Sequence, residues 1–332
     1  MRKIIAKNQR VEITEDERPK IMPSYILVKT MYSAISPGTE LGMIAGSGET
    51  EVALGYSAMG IVEECGEGIS GVVKGDLVAC YGAPYVYHGE YLLVPKTLFT
   101  KVPANVKPKE AALSGIGAIA IHALRIAKLE FGETVVIIGL GLLGQMIAKI
   151  ANAAAYHVIA FDIQEERVEM LSKEKRIQVF SNQEAMEEAI NIAAKNNGAD
   201  AVLLCTGGKR TPLTHESLKW VRNKGKVVVV GDVEPDFPRN LMFGKEAEIL
   251  ISRAGGPGRY DKNYEEKAID YPYGFVRWTE GRNVGEYIRL LSEERIDVSA
   301  FITEEIPFAD APSEFKALMD KKSDTLTKLI RY

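Results

Sequence analysis

The hydrophobic positions change their period along the chain. Up to about residue 110, short runs such as Ile4–Lys7, Tyr25–Thr30, Gly60–Gly66, Asp76–Gly82 and Glu90–Pro95 are β-branched or aromatic and are punctuated by glycine and proline. That spacing predicts a small, strand-rich domain. From about Ala111 apolar runs alternate with helical patterns. The runs Thr134–Gly139, His157–Phe161, Ile177–Phe180, Asp200–Cys205, Lys226–Gly231 and Ala247–Ser252 are predicted strands. Residues 145–155, 184–197 and 211–223 are predicted helices between them. Six strands with intervening helices make an α/β, doubly wound parallel sheet. From about Gly255 a polar stretch precedes predicted helices at 284–294 and 311–321 and strands at 301–303 and 327–331. The organisation expected is a β-rich domain over residues 1–114, a nucleotide-type domain over 115–253 and a C-terminal return over 254–332.

The junction of the first buried strand and its helix carries the most specific chemistry. Gly139, Gly141 and Gly144 form a G-x-G-x-x-G, and Asp162 ends the next strand about 20 residues on. Such glycines allow a tight turn, approach of the backbone to a pyrophosphate, and close helix–strand contact. Leu142 and Leu143 would present amides of the helix N-terminus to the phosphates. An acid at the position of Asp162 accepts the ribose hydroxyls of NAD and repels a 2′-phosphate, whereas Arg167 could pair with one. Cys205, Thr206 and Gly231, at or just past the ends of later strands, are placed at the same nucleotide site. The cofactor expected is NAD.

Composition narrows the remaining classes. The 332 residues are 46% hydrophobic and carry 41 basic and 45 acidic side chains, a net charge of −4. There is no basic excess for nucleic acid. No apolar run reaches the ~18 residues of a membrane helix, and the N-terminal residues lack a signal-peptide core. Cys65, Cys80 and Cys205 are scattered and odd in number, so a reducing cytoplasm is the expected compartment.

Several segments together resemble the medium-chain dehydrogenase/reductase superfamily, the fold of zinc alcohol dehydrogenases. Ser33–Leu41 (SAISPGTEL) looks like its C-x-T-D loop, Leu54–Ile69 like its G-H-E-x-x-G-x-V, and Val72–Ala79 like its G-D-x-V strand. Residues 302–318 look like its C-terminal strand and helix. The resemblance implies a GroES-like catalytic domain plus a six-stranded Rossmann domain. It also implies an oxidoreductase and a homodimer or homotetramer built on the last nucleotide-domain strand. The family's zinc ligands fall on Pro37, Tyr56 (beside Ser57) and near Ser114, none a credible ligand, and the four-cysteine lobe is missing. No metal is expected. Ala254–Asn283 resembles the alcohol-dehydrogenase-like half of bacterial two-domain oxidoreductases.

On that resemblance Thr39 matches the proton-relay hydroxyl, with a turn hydroxyl as the alternative; the relay histidine has no counterpart near Gly42. Tyr56 would bind a substrate oxygen or fill the volume left by zinc. His88 would exchange a proton or sit in a surface loop. His122 reads as a helix or core residue, and Cys205 as a small apolar group. Arg259, Tyr260, Arg277 and Trp278 suit either a polyhydroxylated or anionic substrate or a subunit interface. The reading favoured is NAD-dependent, zinc-independent hydride transfer between nicotinamide and a secondary alcohol or ketone of a sugar-like small molecule. The rivals are a quinone or enone reductase, a bacteriochlorophyllide-type hydroxyethyl dehydrogenase, and a redox-sensing nucleotide-binding subunit.

Overall fold

The computed structural model describes residues 1–208, 211–320 and 326–332. The chain divides into two compact units, Met1–Ala118 with Gly255–Tyr332, and Ile119–Ala254.

The second unit is built on six parallel strands. Their order across the sheet is Ile177–Phe180, His157–Phe161, Thr134–Ile138, Ala199–Leu204, Val221–Val229 and Glu248–Ile251. Thr134–Ile138 is buried along its whole length, as expected for a strand covered on both faces. Val136, Ile138, Ile159, Val202, Leu204 and Val227 form one side of its core. The chain winds outward from Thr134–Ile138 to one edge and resumes at Ala199–Leu204 on the other side. That reversal is where open α/β sheets bind ligands, at the carboxyl ends of the strands.

Several boundaries differ from the sequence pattern: the helix expected at 284–294 spans Glu280–Ser292, that at 184–197 spans Gln183–Ala193, and the strand at 301–303 spans Ile302–Pro307. The helix after the first strand starts at Leu142, earlier than expected, because Gly141 is its N-cap. The predicted helix at 211–223 ends at Trp220 and its last residues join the strand Val221–Val229. Val221 pairs with Ala199, and Arg222 donates to Asp200 at 2.6 Å, so tertiary pairing overrides the helical pattern there. The last residue of the predicted helix at 311–321, Lys321, lies outside the described residues; the helix spans Ala311–Asp320.

The first unit combines a three-stranded sheet (Arg10–Glu15, Arg2–Lys7, Val52–Ala53) with a seven-stranded one. In the larger sheet Tyr25–Ala34 is flanked by Ser57–Cys65 and by the final strand Thr327–Arg331. Ile330 pairs with Ser33, which delivers the terminal Tyr332 to the end of Tyr25–Ala34. The P-G-T stretch beyond that strand is a helix, Pro37–Ala45, with proline at its first turn where no N–H is missed.

His122 is buried in the helix Ser114–Ala127, as its apolar surroundings suggested. Burial, reinforced by Arg125 and Arg253, pushes its imidazole from 6.5 down to about 4. The folded chain therefore keeps His122 neutral where the unfolded chain binds a proton. The stability from that neutral burial is complete above pH 6.5 and falls away as pH drops toward 4. Urea unfolding at about pH 7 and about pH 4.5 should show a smaller acid loss for His122→Leu than for the parent chain.

Candidate active site

Steric contacts assign separate jobs to the glycines of the second unit. Gly139 has φ +93°, a conformation side chains avoid, and lies against Thr206, whose N would be 3.1 Å from an added Cβ. A Cβ on Gly144 would lie 1.8 Å from the Gly139 carbonyl oxygen, so the helix approaches the strand only because Gly144 has none. Gly231 is equally constrained, with the Thr206 carbonyl oxygen 2.1 Å from its hypothetical Cβ. Gly141 differs: nothing lies within 4 Å of that position. The crowded glycines hold the strand ends together, and Gly141 leaves the backbone open. No side chain caps the helix Leu142–Ala153, so the amides of Leu142, Leu143 and Gly144 are available to an anion.

Asp162 is buried and tied to this loop. It accepts from Leu140 N at 2.6 Å and from Gln164 N at 2.9 Å, and Arg167 Nη1 is 3.4 Å away. A carboxylate has about four lone-pair sites, so acceptor capacity remains. Arg167 Nε and the side-chain oxygens of Gln145 and Gln164 are buried nearby without a partner. Unsatisfied buried polar atoms around a carboxylate suit a polar ligand edge such as a ribose. The residues fit a dinucleotide. Cys205, half-buried, has its thiol pushed up to about 12 by burial, so it packs rather than attacks.

The first unit holds the positions where zinc ligands were sought. Pro37 has no donor atom. Ser57 Oγ donates to Ala112 O at 2.6 Å and accepts from Gly115 N; Ser114 Oγ donates to Cys80 O. The Tyr56 hydroxyl donates to Ser36 Oγ at 2.7 Å. Burial, assisted by Glu40, pushes its phenol up to about 12 against the opposing bonds to Ser36 and Thr39. Hydroxyls and a neutral phenol, already engaged in protein hydrogen bonds, do not fit zinc, which needs thiolate, imidazole or carboxylate. Among the described residues no other group of His, Cys, Asp and Glu is arranged to hold a metal.

Thr39 is exposed on the helix Pro37–Ala45 and lies close enough to the Tyr56 phenol to help lower its pKa against burial, so the structure brings these two candidates near one another. His88 requires correction. It is neither a surface-loop residue nor open to substrate: its side chain is 0% exposed. Nε2 meets Glu40 Oε2 at 2.8 Å and Nδ1 meets Ser33 Oγ at 2.7 Å. Ser33 Oγ continues to the Tyr332 hydroxyl at 2.8 Å. Sequence reasoning missed Ser33, Ser36, Glu40 and Tyr332. Ser36 and Glu40 have nearly the spacing of a helix-capping pair, the one signal available.

The polar segment after Gly255 splits in two. Arg259 is largely internal: Nη1 donates to Ala83 O and to Glu265 Oε1, both at 2.6 Å, and its guanidinium lies over the Tyr260 ring. That engagement speaks against Arg259 as a free anion receptor. Arg277 is exposed and stacks on Trp278 at 3.6 Å and Tyr273 at 4.4 Å. Tyr260 presents an exposed ring.

Comparison with known proteins agrees with this architecture. A zinc-binding dehydrogenase family model matches residues 139–270, a stretch that includes the glycine loop and Asp162 but none of Pro37, Tyr56 or Ser114. D-xylulose reductase of Saccharomyces cerevisiae is 24% identical, covering 94% of this chain and 92% of that protein. An alcohol dehydrogenase from Thermus sp. ATN1 superposes with a TM-score of 0.79 at 24% identity, covering 100% of this chain and 99% of that one. An alcohol dehydrogenase from E. coli CFT073, solved with NADH, gives a TM-score of 0.79 at 19% identity with the same coverage. Residues 139–270 thus match the zinc-binding dehydrogenase family, and over nearly its whole length the chain is similar to alcohol-dehydrogenase-like dehydrogenases and reductases.

Proposed function

We propose that the chain is an NAD-dependent dehydrogenase or reductase that works without catalytic zinc, on a secondary alcohol or ketone of a sugar or sugar derivative. One observation carries the reading: a glycine loop joined through Leu140 N to Asp162, in a chain whose zinc positions are Pro37, Tyr56 and Ser114. The sugar class is supported by similarity to a D-xylulose reductase. When bound, the dinucleotide supplies the hydride acceptor or donor. Gly139, Gly141, Leu142, Leu143 and Gly144 hold its phosphates, Asp162 its ribose, and Cys205, Thr206 and Gly231 border it. A Lewis acid would contribute several kcal/mol at the reacting oxygen, and here hydroxyl donors take part of that role. Ser36 Oγ makes no helix cap, so it is free to rotate and donate to the Tyr56 oxygen. The Tyr56 proton then becomes available to a substrate oxygen, with exposed Thr39 as its link to solvent. Arg277, Trp278 and Tyr260 offer stacking surfaces for a polyhydroxylated substrate.

Calorimetric titration should show tighter binding of NADH than NADPH. Asp162→Gly should shrink the ratio by about tenfold, the worth of one ~1.4 kcal/mol charge interaction. Equal affinities in the parent chain would mean that Asp162 does not discriminate.

Protein purified without a metal-binding tag should oxidise or reduce a member of a polyol, sugar and ketose screen while elemental analysis finds no stoichiometric zinc. Thr39→Val and Tyr56→Phe should each lower kcat by about 10²-fold with NADH affinity intact, and Arg277→Ala should mainly raise KM. One zinc per chain lost together with activity, or full turnover in both hydroxyl variants, contradicts the reading.

The outer strand Glu248–Ile251 carries the exposed Ile251 and supports a homodimer formed by symmetric edge pairing. Light scattering at micromolar concentration should give a dimeric mass or a multiple of it; a monomer would contradict it.

A further inference from the structure

The fully buried Glu40, His88 and Ser33 have the bonding order of a nucleophilic triad. All three are 0% exposed, so no acyl donor can reach Ser33 and hydrolysis is ruled out by access. The arrangement must act on something nearby.

Two observations identify what. Glu40 Oε1 accepts from Ser36 N at 2.7 Å, while its other oxygen meets His88. Ser36 is the N-cap of the helix Pro37–Ala45, but its own side chain makes no cap bond; its Oγ takes the Tyr56 hydroxyl instead. Glu40 thus fixes the backbone of the residue on which Tyr56 rests. His88 reaches the other side of the same contact. Its N donates to Leu54 O at 2.7 Å, and its ring lies against Gly55, where a Cβ would come within 2.8 Å of Nδ1. Gly55 immediately precedes Tyr56. Phe315 and the Ser33–Tyr332 pair close the remaining sides of the ring.

We propose that the buried Glu40–His88 pair is a positioning device that locks the Tyr56 hydroxyl onto Ser36. Neither residue touches substrate; both act through Tyr56. The claim rests on the catalytic reading of Tyr56 only for its kinetic test.

Glu40→Leu should lower kcat by about tenfold or more with KM and NADH affinity little changed, because small misplacement of a catalytic group is expensive. Glu40→Gln, which can still accept from Ser36 N and bond His88, should restore most of the loss. In a Tyr56→Phe background Glu40→Leu should have almost no further effect. Glu40→Gln as harmful as Glu40→Leu, or full additivity with Tyr56→Phe, overturns the proposal. If Glu40→Leu does not fold, Ser33→Ala, which removes the partner of His88 Nδ1 and of the Tyr332 hydroxyl, is carried through the same cycle and judged by the same outcomes. A readout independent of turnover is the fluorine resonance of fluorotyrosine placed at position 56. It should shift or broaden in Glu40→Leu or Ser33→Ala and stay near the parent position in Glu40→Gln. An unmoved resonance overturns the positioning role even if no substrate is found. A moved resonance with full turnover in Tyr56→Phe leaves positioning intact and removes only the catalytic assignment of Tyr56.

Discussion

A carboxylate sealed from water is the constraint around which the first unit is arranged. Glu40 is 0% exposed, and an unpaired buried charge costs more than a single domain can spare. Its oxygens are answered by Ser36 N and His88 Nε2. Satisfying His88 in turn needs Ser33 on Tyr25–Ala34, and satisfying Ser33 involves the hydroxyl of the last residue, Tyr332. Thr327–Arg331 pairs with Tyr25–Ala34 in the register that sets Ile330 against Ser33 and brings the Tyr332 hydroxyl within reach of Ser33 Oγ. A local need at one helix therefore reaches residues nearly three hundred positions away.

The second unit is governed by sterics. Gly144 and Gly231 let backbone meet backbone where any side chain would collide, and Gly139 supplies the turn. The result is a rigid rim at the carboxyl ends of Thr134–Ile138 and Ala199–Leu204, with Asp162 fastened to it through Leu140 N. Rigid placement of amides and a carboxylate lowers the ordering needed when an anionic, hydroxylated ligand binds.

This contrast explains what the sequence made legible. Steric requirements leave fixed spacings, so the glycine loop, Asp162 and the six strands could be read directly, and His157–Phe161 and Ile177–Phe180 coincide with their predicted bounds. Strand ends set by pairing could not: Val221 and Arg222 look helical by local composition and are strand because of Ala199 and Asp200. The buried network was invisible for a similar reason. His88 sits in a short polar stretch, YHGEY, and nothing local reveals that Glu40 and Ser33 converge on it from other elements. Arg259 misleads in the opposite sense, since its partner Glu265 is only six residues away and turns an apparent ligand group into a structural one.

On the proposed mechanism the chemistry of the first unit depends on Tyr56 remaining a phenol. Pushed up to about 12 chiefly by burial, it stays a phenol near neutral pH and can donate to an oxygen that is gaining charge. Glu40 is one cause of that elevation, and the same residue fixes Ser36, the acceptor of the Tyr56 proton. Burial is the larger cause of the elevation, and the buried carboxylate helps to set both position and protonation. On the proposed mechanism the phenol gives its proton to the alkoxide that develops in ketone reduction, and alcohol oxidation retraces the same transfer in reverse. Exposed Thr39 beside it shortens the route by which solvent returns that proton, a task that a metal-bound oxygen would otherwise share.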